Sequence, residues 1–369
     1  MDIDLTSILT SKQQSAAEFG EHVFYRLGQA QDRKNFVEFI SGQVGIHIID
    51  EIDLQLRDLV KLEHPTKTLT DEEYTELIQL KLGSNSKEEY GVWVHYPWRN
   101  QVIHLLDEIE FVRVRTIRNA FKITPEEQAL LGGKKIGVVG LSVGQSVALA
   151  LAMERIGGEI RVADFDHLEL SNMNRIRTGV GNLGMKKGEL VRREIAEIDP
   201  FIRVEFYDKG LTKENALDFL TKGGQLDAVV EECDSPDVKL MVRKECARLG
   251  IPVVMETSDR GVLDIERYDL DKDYPMLHGL ISKEYIETET LSLEQKRAVM
   301  FQCIDVQKAS ERGRLSLGEI GKTITTWPQL ATDVILGGAV AAMAVRMILL
   351  NNGIKSSRTY VDVPSIISQ

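Results

Sequence analysis

From Lys134 onward, short runs of apolar residues alternate with longer segments in which apolar residues recur at helical spacing. Short apolar runs bounded by turn residues are typical of buried strands, whereas the wider spacing is typical of amphipathic helices. Repeated strand–helix units form a parallel sheet with helices on both faces. We therefore predict an α/β fold with a doubly wound, mostly parallel sheet. The predicted strands are 136–139, 160–163, 202–206, 226–230 and 251–255, and the predicted helices are 144–156, 186–198, 213–221 and 236–249.

The chain after residue 260 departs from this rhythm. Val262–Tyr268 predicts an antiparallel extension of the sheet, and a short strand is expected near Thr359–Val363. Between them lies an apolar segment, residues 333–350, which Asp333 and Arg346 interrupt. A membrane span needs about 20 predominantly apolar residues, so we predict a buried helix here.

Residues 1–115 are instead rich in helix signals. Apolar residues recur at helical spacing in segments 12–40 and 50–62, and Thr70 with Glu73 has the pattern of a capping box that opens a helix. A second start signal, Thr124-Pro125-Glu126-Glu127, precedes the first strand. We predict a mainly helical N-terminal region over 1–115, of unassigned role, and one nucleotide-binding domain over 116–369.

Charge and cysteine content exclude several classes of protein. The net charge of −12 disfavours general nucleic-acid binding, because an acidic surface repels phosphate backbones. The three cysteines are far apart, so neither a disulfide framework nor a four-cysteine zinc site is expected. The N-terminal sequence has no signal-peptide pattern, and we expect a cytoplasmic protein.

A glycine-containing turn follows the first predicted strand. Gly140 permits a tight turn, and Gly144 lets the backbone approach a phosphate at the start of a helix. The third glycine of the usual fingerprint is replaced by Ser142 or Ser146, depending on the alignment. Asp164 lies 24 residues after Gly140, where an acid can bind ribose hydroxyls. These residues fit NAD and ATP equally well, and a turn without any ligand can use the same glycines.

The segment after Asp164 favours a triphosphate. Arg175 and Lys187 are suitable cations to hold its charge and that of a leaving pyrophosphate, and Asn172 can orient a phosphate oxygen. Asp234 follows the fourth predicted strand, at the edge of the sheet where ligands bind. Mg²⁺ is commonly held by one or two carboxylates plus phosphate oxygens, which makes Asp234 the candidate metal ligand.

These motifs, in this order, resemble the ThiF/MoeB family, which includes the ubiquitin-activating enzymes. The resemblance implies a Rossmann-like domain that binds ATP and Mg²⁺, and it extends loosely to the C-terminal helix. It implies that an arginine enters the partner subunit's site in a homodimer; Arg118 is the candidate, with Arg115 second. The matching segments are GVVGLSVGQS, ADFDHLELSNMNR, NLGMKK and EECDSPD. The implied nucleotide-binding residues are Gly140, Ser142, Gly144, Asp164, Asp166, Asn172, Arg175 and Lys187, with Asp234 on the metal.

The chain also departs from the family pattern. The doubled glycine of the turn and the paired zinc cysteines are absent, and the polar residues 256–261 follow the fifth strand in place of small apolar ones. Those residues are candidates for substrate selection. Family members that transfer an acyl group to sulfur need a reactive thiol, and Cys303 lies where the family carries one. The alternative is that Cys303 is a small buried hydrophobe.

The expected reaction is ATP-dependent adenylation of a carboxylate, giving an acyl-adenylate and pyrophosphate. The catalytic candidates are Arg175, Lys187, Asp234, Arg118 and Cys303. The carboxylate is expected on a ubiquitin-like or sulfur-carrier protein, a peptide, a small molecule or a modified base of tRNA. Two alternatives stay open: an NAD-dependent oxidoreductase, which leaves the cations and Asp234 without a role, and a non-catalytic scaffold with a degenerate fold.

Overall fold

The computed structural model describes residues 20–288 and 290–368, and the chain divides into two compact units between Thr124 and Pro125. The boundary predicted from the sequence lay between residues 115 and 116. Part of the predicted helical segment 12–40 falls outside the described residues, and within them the helix spans Ala30–Gly42.

The N-terminal unit combines helices with a sheet of four strands in the order β1-β3-β4-β2. The Thr70 capping box is confirmed, since Thr70 accepts from the Glu73 amide and Glu73 accepts from the Thr70 amide. The prediction of a mainly helical N-terminal region did not include the four-stranded sheet. The strands are β1 (Val23–Tyr25), β2 (His47–Asp50), β3 (Val92–Tyr96) and β4 (Gln101–Leu105), and the helices are α1 (Ala30–Gly42), α2 (Ile52–Glu63), α3 (Asp71–Leu82) and α4 (Glu108–Arg115).

The aromatic-rich run for which the sequence suggested no motif is the β3–β4 hairpin. Trp93 and His104 are directly opposite each other in the antiparallel register, and their rings stack with centroids 4.1 Å apart. Such cross-strand pairs stabilise a sheet. The buried His104 ring also bonds Asp50 Oδ1 at 2.9 Å and the Tyr90 carbonyl at 2.7 Å, which ties β4 to β2 and to the loop before β3.

The C-terminal unit is built on a seven-stranded sheet in the order β11-β10-β9-β8-β5-β6-β7, which confirms the doubly wound α/β prediction. Strands β5 to β9 are parallel, and β10 and β11 extend the sheet in antiparallel fashion. The strands are β5 (Lys135–Val139), β6 (Glu159–Ala163), β7 (Arg203–Tyr207), β8 (Ala228–Glu231), β9 (Val253–Thr257), β10 (Val262–Glu266) and β11 (Ser357–Tyr360). The helices are α5 (Pro125–Gly132), α6 (Gly144–Glu154), α7 (Lys187–Ile198), α8 (Ala216–Thr221), α9 (Pro236–Leu249), α10 (Lys283–Glu287), α11 (Leu293–Cys303), α12 (Glu311–Glu319), α13 (Ala331–Leu349) and α14 (Val363–Ile367).

Helices α9 and α13 cover opposite faces of this sheet. Met255 of β9 contacts Lys239 and Arg243 of α9, whereas the next residue, Glu256, lies against Gly337 of α13. Successive side chains of a strand point to opposite faces, which is why neighbours in β9 meet different helices. Helix α13 is long and apolar enough to pass for a membrane span by composition, but half of it is buried against α6 and the sheet. It is the core helix that its length predicted.

A buried ion cluster joins α9 to the sheet. The Arg243 guanidinium, with no exposed surface, donates to Glu231 of β8 at 2.7 Å and to Glu266 of β10 at 2.6 Å. Lys239 Nζ lies 3.1 Å from Glu231 as well. Each charge is paired, as burial in a low-dielectric interior requires. The cluster holds β8 in place, and the loop after β8 carries candidate site residues.

Candidate functional site

The turn between β5 and α6 depends on its glycines. Gly140 has φ +84°, a conformation that L side chains rarely adopt, and a Cβ there would lie 2.7 Å from the Cys233 amide nitrogen. A Cβ on Gly144 would lie 2.8 Å from the Val138 side chain. The chain therefore brings the turn after β5 against the loop after β8. Helix α6 begins at Gly144, and the N-terminus of a helix favours anions.

Asp164, at the end of β6, holds this turn. Its Oδ2 accepts the Leu141 amide and its Oδ1 accepts the Asp166 amide, both at 2.7 Å. Burial raises the pKa of Asp164, while the two backbone amides oppose the rise. Each carboxylate oxygen has a second lone pair that can accept a ribose hydroxyl. The ribose role predicted for Asp164 fits this arrangement and stays a prediction.

Lys187 and Asp166 form an ion pair beside the turn. Lys187 Nζ lies 2.8 Å from Asp166 Oδ2, and the Lys187 amide donates to the Asp166 carbonyl. The Lys187 side chain is largely buried at the start of α7, whereas half of the Asp166 side chain is exposed. The pair holds the ammonium in a fixed place near the end of β6, where it is available to an anion that competes with Asp166.

Arg175 lies directly against the glycine turn. Its Nε and Nη2 donate to Ser142 Oγ at 3.1 and 2.9 Å, and its Nη1 donates to Asn174 Oδ1 at 2.9 Å. Burial lowers the pKa of Arg175, and the negative charge of Asp234 opposes that shift. The guanidinium is therefore placed between the turn and the loop after β8, and its role in binding the triphosphate stays a prediction.

Asn172, which was predicted to orient a phosphate oxygen, also makes hydrogen bonds within the protein. It ends the short 3₁₀ helix Leu170–Asn172, and its Oδ1 accepts the Glu169 amide at 3.0 Å. Its carbonyl accepts the Arg175 amide at 3.1 Å. Asn172 thus shapes the segment that carries Arg175, and any phosphate contact must come from its amide group.

Asp234 is exposed in the loop between β8 and α9. No group of three or more metal-ligating side chains occurs within residues 20–288 and 290–368. A single exposed carboxylate suits Mg²⁺ that arrives with phosphate oxygens and does not suit a metal held in an all-protein cage. The residues present therefore fit a nucleotide-borne Mg²⁺, with Asp234 as its protein ligand.

Glu256, one of the residues predicted to select the substrate, is buried together with Glu232 next to the turn, which the sequence did not predict. Glu232 follows β8 and lies close to Gly144, and Glu256 near the end of β9 has neither carboxylate oxygen hydrogen-bonded. Glu232 accepts the Glu256 amide at 3.0 Å. Burial and their mutual repulsion raise the pKa of Glu232; burial, and next Asp333, raise that of Glu256 to about 8. The sequence did contain a signal for this pair, because Glu232 and Glu256 lie at the carboxyl ends of neighbouring strands.

The structure argues against Cys303 as a nucleophile. Cys303 ends α11, is 1% exposed and packs in an apolar cluster with Leu240, Met255 and Val299. Burial raises the pKa of its thiol even though buried cations lie nearby. A catalytic thiol needs access and thiolate character, and this conformation provides neither. In this conformation Cys303 has the surroundings of a small buried hydrophobe.

The two candidate arginines belong to the N-terminal unit. Arg118 is exposed in the 3₁₀ turn Ile117–Asn119, and Arg115 is half-buried at the end of α4. The exposed side chain of Arg118 is compatible with the predicted contact to a second copy.

Several known proteins are similar to this chain. A sequence model of the ThiF family matches residues 115–362. The uncharacterised protein MT1398 of Mycobacterium tuberculosis (strain CDC 1551 / Oshkosh) is 41% identical over 285 residues, which are 76% of this chain and 39% of that protein. The adenylyltransferase and sulfurtransferase UBA4 of Lodderomyces elongisporus is 32% identical over 145 residues, which are 38% of this chain and 31% of that protein. The solved structure of E. coli tRNA N6-threonylcarbamoyladenosine dehydratase has a TM-score of 0.48 at 20% identity, covering 65% of this chain and 96% of that one.

The chain thus spans 39% and 31% of the lengths of these two curated relatives. The family match, by contrast, covers more than half of the chain and includes the glycine turn, Asp164, Arg175, Lys187 and Asp234. The protein belongs to the ThiF family.

Proposed function

We propose that this protein is an ATP-dependent adenylating enzyme that activates a carboxylate as its acyl-adenylate. The observation that carries the proposal is the Arg175 guanidinium, bonded to Ser142 in the glycine turn and facing Asp234. The N-terminus of α6 is suited to the first phosphate of a nucleotide. The Arg175 cation lies beyond that N-terminus, so it is suited to the second and third phosphates of a triphosphate. UBA4, a relative of this chain, is named as an adenylyltransferase.

In the proposed reaction, a carboxylate oxygen attacks the α-phosphorus of ATP, and the bond to the bridging oxygen breaks as pyrophosphate leaves. Gly140, Gly144 and the first amides of α6 fix the α-phosphate, and Asp164 fixes the ribose. Arg175 and Lys187 hold the β- and γ-phosphates and stabilise the charge that develops on the leaving pyrophosphate. Mg²⁺ would neutralise phosphate charge, held by Asp234.

We propose that the acceptor of the acyl group is not a cysteine of this chain in the described conformation. Cys303 and Cys246 are buried, and Cys233 donates its thiol to Glu231 Oε1 at 3.1 Å. The activated carboxyl would then pass to a nucleophile of the substrate itself or of a partner. The carboxylate that is activated belongs, in this proposal, to a ubiquitin-like or sulfur-carrier protein, a peptide, a small molecule or a tRNA.

We also propose a homodimer in which Arg118 reaches the partner's site. Helix α13 supports a second copy as partner, since its solvent side carries an apolar stripe in which Ile335 is 59% and Met343 49% exposed. Light scattering should give twice the monomer mass, and Ile335→Glu should shift it toward the monomer. A monomeric wild-type protein would contradict this part of the proposal.

Calorimetric titration with Mg·ATP and with NAD⁺ tests the nucleotide. We expect Mg·ATP to bind, NAD⁺ not to bind, and both Arg175→Ala and Asp234→Ala to weaken Mg·ATP binding. Lys355→Ala changes an exposed cation just before β11, at the opposite edge of the sheet from the glycine turn, and is a control that should leave binding unchanged. NAD⁺ binding without ATP binding would favour an oxidoreductase, and binding of neither would favour a non-catalytic scaffold. A positive result leads to a pyrophosphate-exchange screen of candidate carboxylates.

A further inference from the structure

Ser142 lies in the turn between Gly140 and Gly144, and among the hydrogen bonds of the described residues its hydroxyl bonds Arg175. Its oxygen accepts from Nε at 3.1 Å and from Nη2 at 2.9 Å. These two donors lie on one edge of the planar guanidinium, so a single oxygen fixes the orientation of the whole group. The contact joins residues 33 positions apart in the chain.

The other donors of Arg175 are also constrained. Nη1 donates to Asn174 Oδ1 at 2.9 Å and to the Ser171 carbonyl at 3.3 Å. Of the five N–H groups of a guanidinium, four are therefore used within the protein, and one on Nη2 is left for a ligand. Because the Arg175 side chain is half-buried, it has already lost part of its hydration before a nucleotide binds.

From this geometry we infer that Ser142 is a positioning residue for Arg175. Its hydroxyl holds the guanidinium in the orientation that receives the β- and γ-phosphates, so the cation is ordered in advance of binding. A serine at this position thus provides a support that a glycine cannot supply. This inference rests on the proposed function, since it concerns the same nucleotide site.

The test is a double-mutant cycle on Mg·ATP affinity, measured by calorimetry on the full chain. Ser142→Ala removes one charge-assisted contact and should raise the Kd for Mg·ATP about tenfold. In the Arg175→Ala background the same change should alter the Kd by less than about twofold, because its effect passes through Arg175. Ser142→Thr keeps the hydroxyl and should restore affinity to within about threefold of the wild type.

AMP separates positioning from a collapse of the turn. AMP uses the glycine turn and Asp164 but has no β- or γ-phosphate, so its Kd should change less than about twofold in Ser142→Ala. An equal loss of AMP and ATP affinity would overturn the inference in favour of a structural role. Additive effects in the cycle, or an unchanged Kd, would overturn it as well.

Tighter Mg·ATP binding by Ser142→Ala would also overturn it, because it would mean that the nucleotide must break the Ser142–Arg175 contact. If the wild-type protein binds neither Mg·ATP nor AMP, the proposed function fails, and the inference fails with it. Normal wild-type binding without the expected Ser142 effects overturns only the inference. Thermal melts of each variant confirm that the fold is intact.

Discussion

Replacing Glu256 with glutamine should stabilise the protein at alkaline pH and leave it nearly unchanged at acidic pH. Glu256 is 4% exposed, its carboxylate oxygens have no hydrogen-bond partner, and its pKa is raised from 4.5 to about 8, mainly by burial and then by Asp333. Between pH 4.5 and 8 the folded state therefore keeps a proton on Glu256 that the unfolded state has already released. The contribution of this group to the free energy of unfolding is fully present below pH 4.5 and is lost as the pH rises through 8.

The magnitude follows from the size of the shift. A shift of one pKa unit corresponds to about 1.4 kcal/mol, so the rise from 4.5 to about 8 gives a loss of roughly 5 kcal/mol above pH 8. Glutamine has nearly the same shape and no charge, so Glu256→Gln should avoid this loss. At pH 5 both side chains are neutral and both bury unpaired polar atoms, so the two proteins should differ by less than about 1 kcal/mol.

Urea denaturation followed by circular dichroism, at pH 5.0 and at pH 8.5, measures both values. Glu287→Gln, a change of an exposed glutamate, is the matched control and should leave the pH dependence of the wild type unchanged. If Glu256→Gln differs from the wild type by the same amount at both pH values, Glu256 does not have the raised pKa on which this prediction depends. A variant that is less stable at pH 8.5 than the wild type would show that the ionised carboxylate has a partner.

Three further changes test other parts of the structure. Gly140→Ala places a Cβ against backbone atoms at a positive φ, so it should lower the free energy of unfolding in urea by about 1–3 kcal/mol and weaken nucleotide binding. The control Gly181→Ala, which has open space around its Cβ, should change neither quantity. Arg243→Ala removes the ion-pair partner of the buried Glu266 and one of the two cations beside the buried Glu231, so it should cost about 3–5 kcal/mol by the same assay; a loss below 1 kcal/mol would contradict the buried cluster. Cys303 should react with iodoacetamide only in denaturant, since burial raises its thiol pKa, and Cys303→Ser should retain Mg·ATP affinity; rapid labelling of the native thiol would restore it as a nucleophile candidate.

Much of the fold could be predicted because its signals are local. The helix predicted over 236–249 has those bounds, and the predicted strands of the parallel sheet lie within two residues of the observed ones at each end. Apolar spacing, the Thr70 capping box and the glycine after β5 act over a few residues, where backbone geometry is set by neighbours in the chain. The sequence order of these signals also placed the candidate site residues at one sheet edge.

The four-stranded sheet of the N-terminal unit could not be predicted in the same way. Strand β2 pairs in parallel with β4, more than 50 residues later, and is exposed at all four positions. An exposed edge strand has no hydrophobic alternation, so its partner is decided only by tertiary contacts, such as the bond between His104 of β4 and Asp50 of β2. Long-range pairing of this kind leaves no pattern in the local sequence.

The strand–helix order, the glycine turn and the residues that resemble the family's phosphate ligands could all be read from local patterns in the chain. The bond from Arg175 to Ser142, the burial of Glu256 without a hydrogen-bond partner for its carboxylate and the inaccessibility of Cys303 became visible only in the folded protein. Hydrogen bonding, burial and pKa depend on which distant segments pack together. Those distances are properties of the folded chain and not of its local spacing.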